Sequence, residues 1–197
     1  MAIRDIKEGK LLYHLTRLSN LDSIIEHGLV SRKSVKDNDV SFFDIADQKI
    51  ITKRTELRLD EYTPFHFHPY SSFDVAVKST YADEEFIYIC IKRELAKGNN
   101  FKILPRHPLN DEENFQLYDY DEGFESIDWE TMHTPGTEDQ YIKNVKMAEC
   151  LTPLIVPAKL FHCIYVRNES TRAIVRKKLQ SKGISKTPPF VDIGHWL

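Results

Sequence analysis

The feature that most restricts the fold is Phe86–Ile91, a run of six consecutive apolar residues. Side chains of a strand alternate between its two faces, so a run that is apolar on both faces predicts a strand at the centre of a sheet. A chain of 197 residues with 41% hydrophobic residues is long enough to bury such a sheet. We therefore expect residues 1–197 to form a single domain around it.

A strand, a turn and a helix are predicted near the N-terminus. Leu11–Leu15 is an apolar run interrupted by His14, a pattern typical of a buried strand that carries the imidazole on one face. Ser19 stands where a helix N-cap would, and Gly28 stands where a left-handed residue would end the helix. The spacing predicts a short amphipathic helix between these two positions.

Charge and cysteine content narrow the class of protein. The formal net charge of -3 excludes the global basic field that dominates non-specific nucleic-acid binding, so any such contact must be local. No apolar stretch approaches the roughly 20 residues needed to span a bilayer, and the N-terminus lacks a signal-peptide core. Cys90, Cys150 and Cys163 lie in apolar surroundings, which predicts reduced, buried thiols. We expect a cytoplasmic protein without membrane contacts.

Glu149 stands where helical spacing of polar residues gives way to an apolar run, which predicts a carboxylate at a strand start, beside a cleft. Arg54 ends a predicted helix over Asp44–Arg54. For both residues a surface position is the ordinary alternative, and for His14 it is a core position. Together the three side chains would suit glycosyl transfer from a dinucleotide. The acid would steady an oxocarbenium-like transition state or take the acceptor's proton, while the arginine neutralises diphosphate or orients the acceptor.

Two other kinds of site are compatible with parts of the sequence. His66 and His68 would share one face of a strand predicted within Tyr62–Pro69 and could ligate a metal, but no third ligand is evident, so we predict no metal site. Cys150 and His162 could form a thiol and base pair, although a thiol beside an apolar run is usually inert. Neither a glycine-rich phosphate loop nor a Gly-x-Ser-x-Gly elbow is present.

Four motifs follow one another along nearly the whole chain. They are Tyr13-His14-Leu15-Thr16 with Asn20-Leu21, then Tyr62–Phe67, then Asp128–Thr131, and last Met147–Leu151. In the same order they resemble motifs of the DarT-type ADP-ribosyltransferase toxins, which attach ADP-ribose from NAD to bases of single-stranded DNA. The counterparts in that family are Tyr-His-Ile-Thr with Asn-Leu, Tyr-Val-Pro-Phe-Tyr-Phe, a stretch built on Asp-Trp, and Gln-Ala-Glu-Phe-Leu, which bears the catalytic glutamate.

The resemblance implies an α+β fold of the ADP-ribosyltransferase type. Its split mixed β-sheet with flanking helices would hold NAD, the co-substrate, in a cleft. Glu149 would be the catalytic acid and Arg54 the catalytic arginine. His14, Leu15 and Thr16 would meet the nicotinamide end of NAD, and Ser23 would lie near the bound dinucleotide.

Two segments depart from the family's pattern. Where the family commonly has Pro-Arg-Ser-Pro-Met, this chain has Pro69–Phe73, with Tyr70 in place of the arginine. A tyrosine could replace that guanidinium by stacking on a base. The segment His133–Asp139 contains Thr-Pro-Gly-Thr, which predicts an irregular loop facing the substrate. We therefore predict nucleic-acid contacts at Tyr70 and His133.

The expected function is that of an NAD-dependent ADP-ribosyltransferase that modifies bases of single-stranded DNA. The resemblance implies the toxin of a toxin-antitoxin pair, a monomer with a macrodomain antitoxin of the DarG type as partner. A transferase of the same fold acting on RNA or protein is the alternative, and balanced net charge mildly favours a protein acceptor. A catalytically idle binding domain is a third class, against which the intact His14 and Glu149 count.

Overall fold

Seven strands form one mixed sheet in the computed structural model, which describes residues 5–38, 42–107, 116–135 and 139–194. The sheet order is β4-β5-β2-β1-β3-β6-β7, and all neighbouring strands are antiparallel except β6 and β7. The strands are β1 Leu11–Arg17, β2 Thr63–His66, β3 Phe86–Lys92, β4 Lys102–Leu104, β5 Glu149–Thr152, β6 Cys163–Val166 and β7 Phe190–Ile193.

Short helices flank this sheet. Among the described residues they are α1 Leu21–His27, α2 Arg32–Asp37, α3 Gln48–Glu56, α4 Ser72–Thr80, α5 Arg93–Gly98, α6 Tyr120–Ser126, α7 Trp129–His133, α8 Gln140–Lys146 and α9 Glu169–Ser181. In these ranges no helix combines the length and the apolar character that a membrane crossing requires.

β3 is an interior strand of the sheet, between β1 and β6, as its apolar run predicts. Ile87, Ile89 and Ile91 belong to the larger core, which also takes in residues of α1, α7 and α9. Tyr88 and Cys90 alternate with them and belong to a second core on the opposite face, where α4 contributes Val77. Because both faces of the strand are covered, each side chain of the run has an apolar environment.

The sheet divides between β1 and β2. β1 pairs with β3 over its whole length, from Leu11 opposite Lys92 to Arg17 opposite Phe86. With β2 it is in register at Tyr13 and His66 only. The strands β4, β5 and β2 therefore form one half of the sheet and the remaining four form the other, which confirms the predicted split mixed sheet and the α+β class. The opening between the halves is where a ligand has room.

Helix boundaries show which local signals were sufficient. Gly28 has φ +83° and ends α1, and a Cβ there would come within 2.8 Å of Ile155 and 2.9 Å of the Val156 carbonyl. The predicted glycine stop is therefore correct. Ser19 is not the cap, because a 3-10 turn over Leu18–Asn20 precedes α1.

Three further expectations need correction. α3 begins at Gln48 rather than Asp44, because the Asp47 side chain accepts from the Lys49 main-chain nitrogen and caps the helix there. β2 ends at His66, so His68 lies beyond the strand. His133 is the last residue of α7 rather than part of a loop. In the predicted loop, residues 136–138 lie outside the described residues.

The structure bears on the two other kinds of site, the thiol and base pair and the metal site. Cys90, Cys150 and Cys163 are buried and unpaired, and burial raises the pKa of the Cys150 thiol far above its usual range. A thiol held in its neutral form is a poor nucleophile, which argues against the pair with His162. In the parts of the chain that the structure describes, no three His, Cys, Asp or Glu side chains converge to hold a metal ion.

Candidate active site

A cleft of about 1100 Å³, open to solvent, lies where the two halves of the sheet separate. β1 contributes His14 and Leu15 to its lining, and α1 contributes Ser23. The other half contributes residues of β2 and β5, among them Glu149. The cleft is thus formed by segments distant in sequence. Three of them, β1, α1 and β5, carry residues that the resemblance predicted.

Arg54 and Glu149 form a buried ion pair in this cleft. Arg54 Nη1 donates to Glu149 Oε1 at 2.8 Å and to Oε2 at 3.0 Å. The residues are 6% and 4% exposed, so neither charge is solvated as it would be at the surface. A buried pair of this kind adds little net stability, because desolvation opposes the Coulomb attraction. Its presence beside an open cleft therefore indicates a chemical role.

Glu149 is the first residue of β5, the position predicted for it, and it stays ionised despite its burial. Burial by itself raises the pKa of this carboxyl. The positive charge of Arg54, followed by His66, His107 and the hydrogen bond from Arg54, outweighs burial and lowers the pKa below its ordinary value. The cleft therefore presents a fixed carboxylate at neutral pH.

His14 presents a neutral imidazole to the same cleft. Its Nδ1 lies 2.8 Å from the Pro64 carbonyl oxygen, which can only accept, so Nδ1 carries the proton. Burial lowers the pKa of His14 to about 4, so the ring is uncharged near pH 7. In that tautomer Nε2 keeps a lone pair, which suits an amide N–H donor of a ligand.

Two further histidines line the cleft, and the sequence reasoning assigned neither to it. His66 lies opposite Glu149 in the register of β2 and β5. His107, which is 8% exposed, follows β4, and burial lowers its pKa to about 4. For His66 the alternation along the strand was a usable signal. For His107 the only local signal was a histidine between two prolines just after a predicted strand.

Of the other predicted NAD-facing residues, Leu15 and Ser23 line the cleft. Thr16 is 1% exposed, and its Oγ1 accepts from Asn20 Nδ2 at 3.1 Å instead. Asn20 also donates to the Phe43 carbonyl at 3.0 Å and accepts from the Phe43 N–H at 2.8 Å. Thr16 thus supports the residue that holds Phe43.

Residues 42–46, which we call the wall segment, form one side of the cleft. Phe42, Asp44, Ile45 and Ala46 line it. Besides Asn20, two arginines hold the segment. The Arg17 guanidinium lies 3.3 Å from the Phe43 ring centroid and 4.5 Å from that of Tyr81. Arg32 pairs with Asp44 through two hydrogen bonds.

Tyr70 and His133 lie outside the cleft lining. Tyr70 is 55% exposed, with Lys78 Nζ 4.5 Å from its ring centroid, and it precedes α4, whose Phe73 does line the cleft. His133 Nδ1 donates to the Trp129 carbonyl at 2.6 Å, and its Nε2 accepts from the Ile6 N–H at 2.7 Å. The structure therefore places Tyr70 three positions before a residue of the cleft lining, while His133 tethers the N-terminal segment.

Comparison with known proteins identifies the family. The family model described as "ssDNA thymidine ADP-ribosyltransferase, DarT" matches residues 13–197. The chain therefore belongs to the DarT family, which confirms the resemblance seen in the motifs.

Solved structures share the fold. Thermus sp. 2.9 DarT in complex with ADP-ribosylated ssDNA is 22% identical, with a TM-score of 0.81 over 98% of each chain. The same Thermus protein in complex with NAD+ is 20% identical, with a TM-score of 0.75 over 96% of this chain and 98% of the other.

One curated relative extends beyond this chain. A Thermosipho africanus protein, described as a DNA ADP-ribosyl transferase-DNA ADP-ribosyl glycohydrolase fusion protein, is 21% identical over 185 residues. The match covers 90% of this chain and 47% of the fusion protein, so the chain spans about half the length of that relative.

Proposed function

We propose that this chain transfers ADP-ribose from NAD to thymidine in single-stranded DNA. The observation that carries the proposal is the buried pair of Arg54 and Glu149 in the cleft of a DarT family member. A relative of the same fold is described in complex with NAD+ and with ADP-ribosylated ssDNA, which supports both the donor and the acceptor.

Glu149 is assigned the stabilisation of positive charge. Cleavage of the bond between ribose and nicotinamide develops cationic character on the ribose, and a preorganised carboxylate shielded from water stabilises it. Arg54 reaches both carboxylate oxygens through a single nitrogen, so each oxygen keeps lone-pair capacity for the substrate. The same carboxylate can take the proton that the acceptor base loses.

NAD fits the residues of the cleft. His14 Nε2 offers an acceptor for the carboxamide of the nicotinamide, and Leu15 offers an apolar surface beside it. Ser23 provides a hydroxyl from α1. In this assignment Thr16 acts through Asn20 and the wall segment rather than by direct contact.

The acceptor is proposed to be an unpaired base. A base inside a stacked duplex cannot line up with the anomeric carbon of the NAD ribose without being extruded, and an unpaired base avoids that cost. Tyr70 is exposed and beside α4, so it can stack on such a base. Both ring nitrogens of His133 are engaged, so its proposed contribution to DNA binding is indirect.

Partner and setting follow as further parts of the proposal. The fusion relative couples a transferase to a DNA ADP-ribosyl glycohydrolase, so we assign the chain to a toxin-antitoxin pair in which a macrodomain glycohydrolase of the DarG type reverses the modification. Buried, unpaired thiols suit a reducing compartment, so the cytoplasm is the proposed site. We propose a monomeric single domain as the catalytic unit.

Labelled NAD and separate acceptor pools test this function. Wild-type protein should label single-stranded DNA that contains thymidine, and should leave thymidine-free strands, duplex DNA, RNA and protein unlabelled. Glu149→Gln should lower turnover at least ~10²-fold while NAD still binds. Glu130→Gln, which removes an exposed carboxylate from α7, is the matched control and should retain activity.

Two further arms separate the parts of the proposal. Tyr70→Ala should raise the KM for the oligonucleotide and leave that for NAD unchanged, and Tyr70→Phe should restore it because the ring is kept. Labelling of RNA or protein alone would show that DNA is not the acceptor, while the transfer of ADP-ribose from NAD would still stand. Near-wild-type turnover by Glu149→Gln would remove Glu149 from the reaction.

A further inference from the structure

The charged side chains of the cleft occur as two ion pairs of different exposure. Among described lining residues, the guanidinium and carboxylate groups belong to Arg32, Asp44, Arg54 and Glu149. The side chains of the Arg54 pair are 7% and 5% exposed, whereas those of Arg32 and Asp44 are 17% and 25% exposed. Within each pair the positive and the negative charge cancel. An anionic ligand therefore needs one of the pairs to open.

Arg32 already holds a planar anion in a bidentate fork. Its Nε donates to Asp44 Oδ2 at 2.5 Å and its Nη2 donates to Asp44 Oδ1 at 2.9 Å. A guanidinium recognises phosphate oxygens with the same two parallel hydrogen bonds that it makes to a carboxylate. Asp44 therefore occupies the position in which a phosphate group would be bound.

The Arg32 pair is the one that a ligand can open at low cost. Opening the Arg54 pair would leave a carboxylate that is 4% exposed without a counter-charge, which is strongly unfavourable. Asp44 Oδ1 also accepts from the Ala46 N–H at 3.0 Å, so the carboxylate keeps a partner when Arg32 turns away from it. Partly exposed pairs contribute little to stability, so exchange of one anion for another costs little here.

Arg32 also lines the same cleft as His14, the residue assigned to the nicotinamide end. A diphosphate bound at Arg32 would therefore belong to the same ligand that meets His14.

We propose that Arg32 binds the diphosphate of NAD, and that Asp44 holds the guanidinium in the binding geometry until the diphosphate replaces it. This assignment rests on the proposed function, since it takes NAD as the ligand of the cleft. It adds a cation to that site that none of the motifs indicated.

Binding measured by calorimetry tests the assignment without relying on turnover. The variants are Arg32→Met, which removes the charge, and Asp44→Asn, which keeps the shape and an oxygen for the Ala46 N–H. The ligands are NAD, ADP-ribose and nicotinamide riboside, the last of which lacks the diphosphate. Thermal unfolding of each variant establishes that it is folded.

Arg32→Met should weaken binding of NAD and ADP-ribose about tenfold or more, the loss typical of hydrogen bonds to a charged group, and leave nicotinamide riboside unaffected. Asp44→Asn should tighten NAD binding by about two- to fivefold, because the competing carboxylate is gone. The two variants of one ion pair are thus expected to act in opposite directions, which a purely structural clamp cannot do.

Three results would overturn the assignment. If Asp44→Asn weakens NAD binding as Arg32→Met does, the pair serves only to hold the wall segment. Unchanged NAD affinity in folded Arg32→Met would remove Arg32 from the site while leaving the proposed function standing. Failure of the wild-type protein to bind NAD would overturn the proposed function and this assignment with it.

Discussion

Two buried arginines of this molecule are satisfied in opposite ways. Arg54 and Arg93 are 6% and 7% exposed, so both guanidiniums are withdrawn from water. Arg54 faces the carboxylate of Glu149 beside the cleft. Arg93, at the start of α5, donates to neutral main-chain carbonyls and lies over aromatic rings. The carbonyls are those of Ile6, Lys7, Leu11 and Phe67, and the rings are those of Phe67, Phe124 and Trp129.

The difference separates a structural arginine from a chemical one. Around Arg93 the hydrogen bonds join the N-terminal segment, β1 and the end of β2, so the charge serves to connect chain segments. Around Arg54 the partner is an ionised group with lone pairs available to a ligand. Apolar residues of similar volume often replace a buried ion pair without loss of stability, so folding stability alone does not account for the pair at the cleft.

The largest expected effect follows from removing the structural arginine. Arg93→Met should lower the free energy of unfolding by about 4 kcal/mol, because four main-chain carbonyls lose their donor at once and three aromatic rings lose the guanidinium that lies over them. Denaturant unfolding followed by circular dichroism measures the loss. A change below about 1 kcal/mol would show that water replaces the guanidinium.

The matched variant at the cleft replaces both members of the pair. Arg54→Met with Glu149→Leu should leave the free energy of unfolding within about 1 kcal/mol of wild type and abolish transfer, since no buried charge is left unpaired. The same unfolding experiment, run beside a transfer assay, compares the two arginines directly. A severe loss of stability in the double variant would make the cleft pair structural as well.

An effect of similar kind, but smaller for each residue, is expected from pH. The folded pKa of His14 and of His107 is about 4, below the ordinary value of 6.5. Between those values the unfolded chain binds protons that the folded chain does not, so stability present above pH 6.5 is lost as pH falls to 4. The loss approaches about 3 kcal/mol for each histidine.

Urea unfolding at pH 7 and at pH 5 measures this dependence. The lowered pKa of Glu149 adds to it at the acid end, because its contribution is present above its ordinary pKa and is lost as pH falls through the folded value. His107→Gln should flatten the profile, whereas Arg93→Met should shift it downwards without changing its slope. If the free energy of unfolding depends on pH equally in His107→Gln and in the wild type, the lowered pKa of His107 is contradicted.

The smallest effect is expected at Asn20. Its role is structural, like that of Arg93, but the segment that it holds lines the cleft, as Arg54 does. Asn20→Ala should raise the KM for NAD about threefold with a smaller change in kcat, since it releases the Phe43 main chain and loosens the wall segment. Asn168→Ala removes the cap of α9 and is the control for a comparable loss of about 1 kcal/mol away from the cleft. An unchanged KM in Asn20→Ala would detach the wall segment from NAD binding.

Local features of the structure were determined by the sequence itself. The apolar run of β3 predicted an interior strand, and the glycine at position 28 predicted the end of α1. Glu149 was predicted to begin a strand beside a cleft. Each of these depends on the conformations of a few neighbouring residues, or on a period of two along one strand. The motifs predicted the family, and the family model matches residues 13–197, which include all four of them.

Tertiary structure alone decided which of these residues meet. Arg54 and Glu149 are 95 positions apart, and the strand order that joins them is not encoded in any local pattern. Long-range contacts also join the Asn20 side chain to the Phe43 main chain and His133 to Ile6. They bring His107 to the cleft as well. A side chain that can make several hydrogen bonds takes the partners that packing brings near, and for these residues those partners come from distant segments.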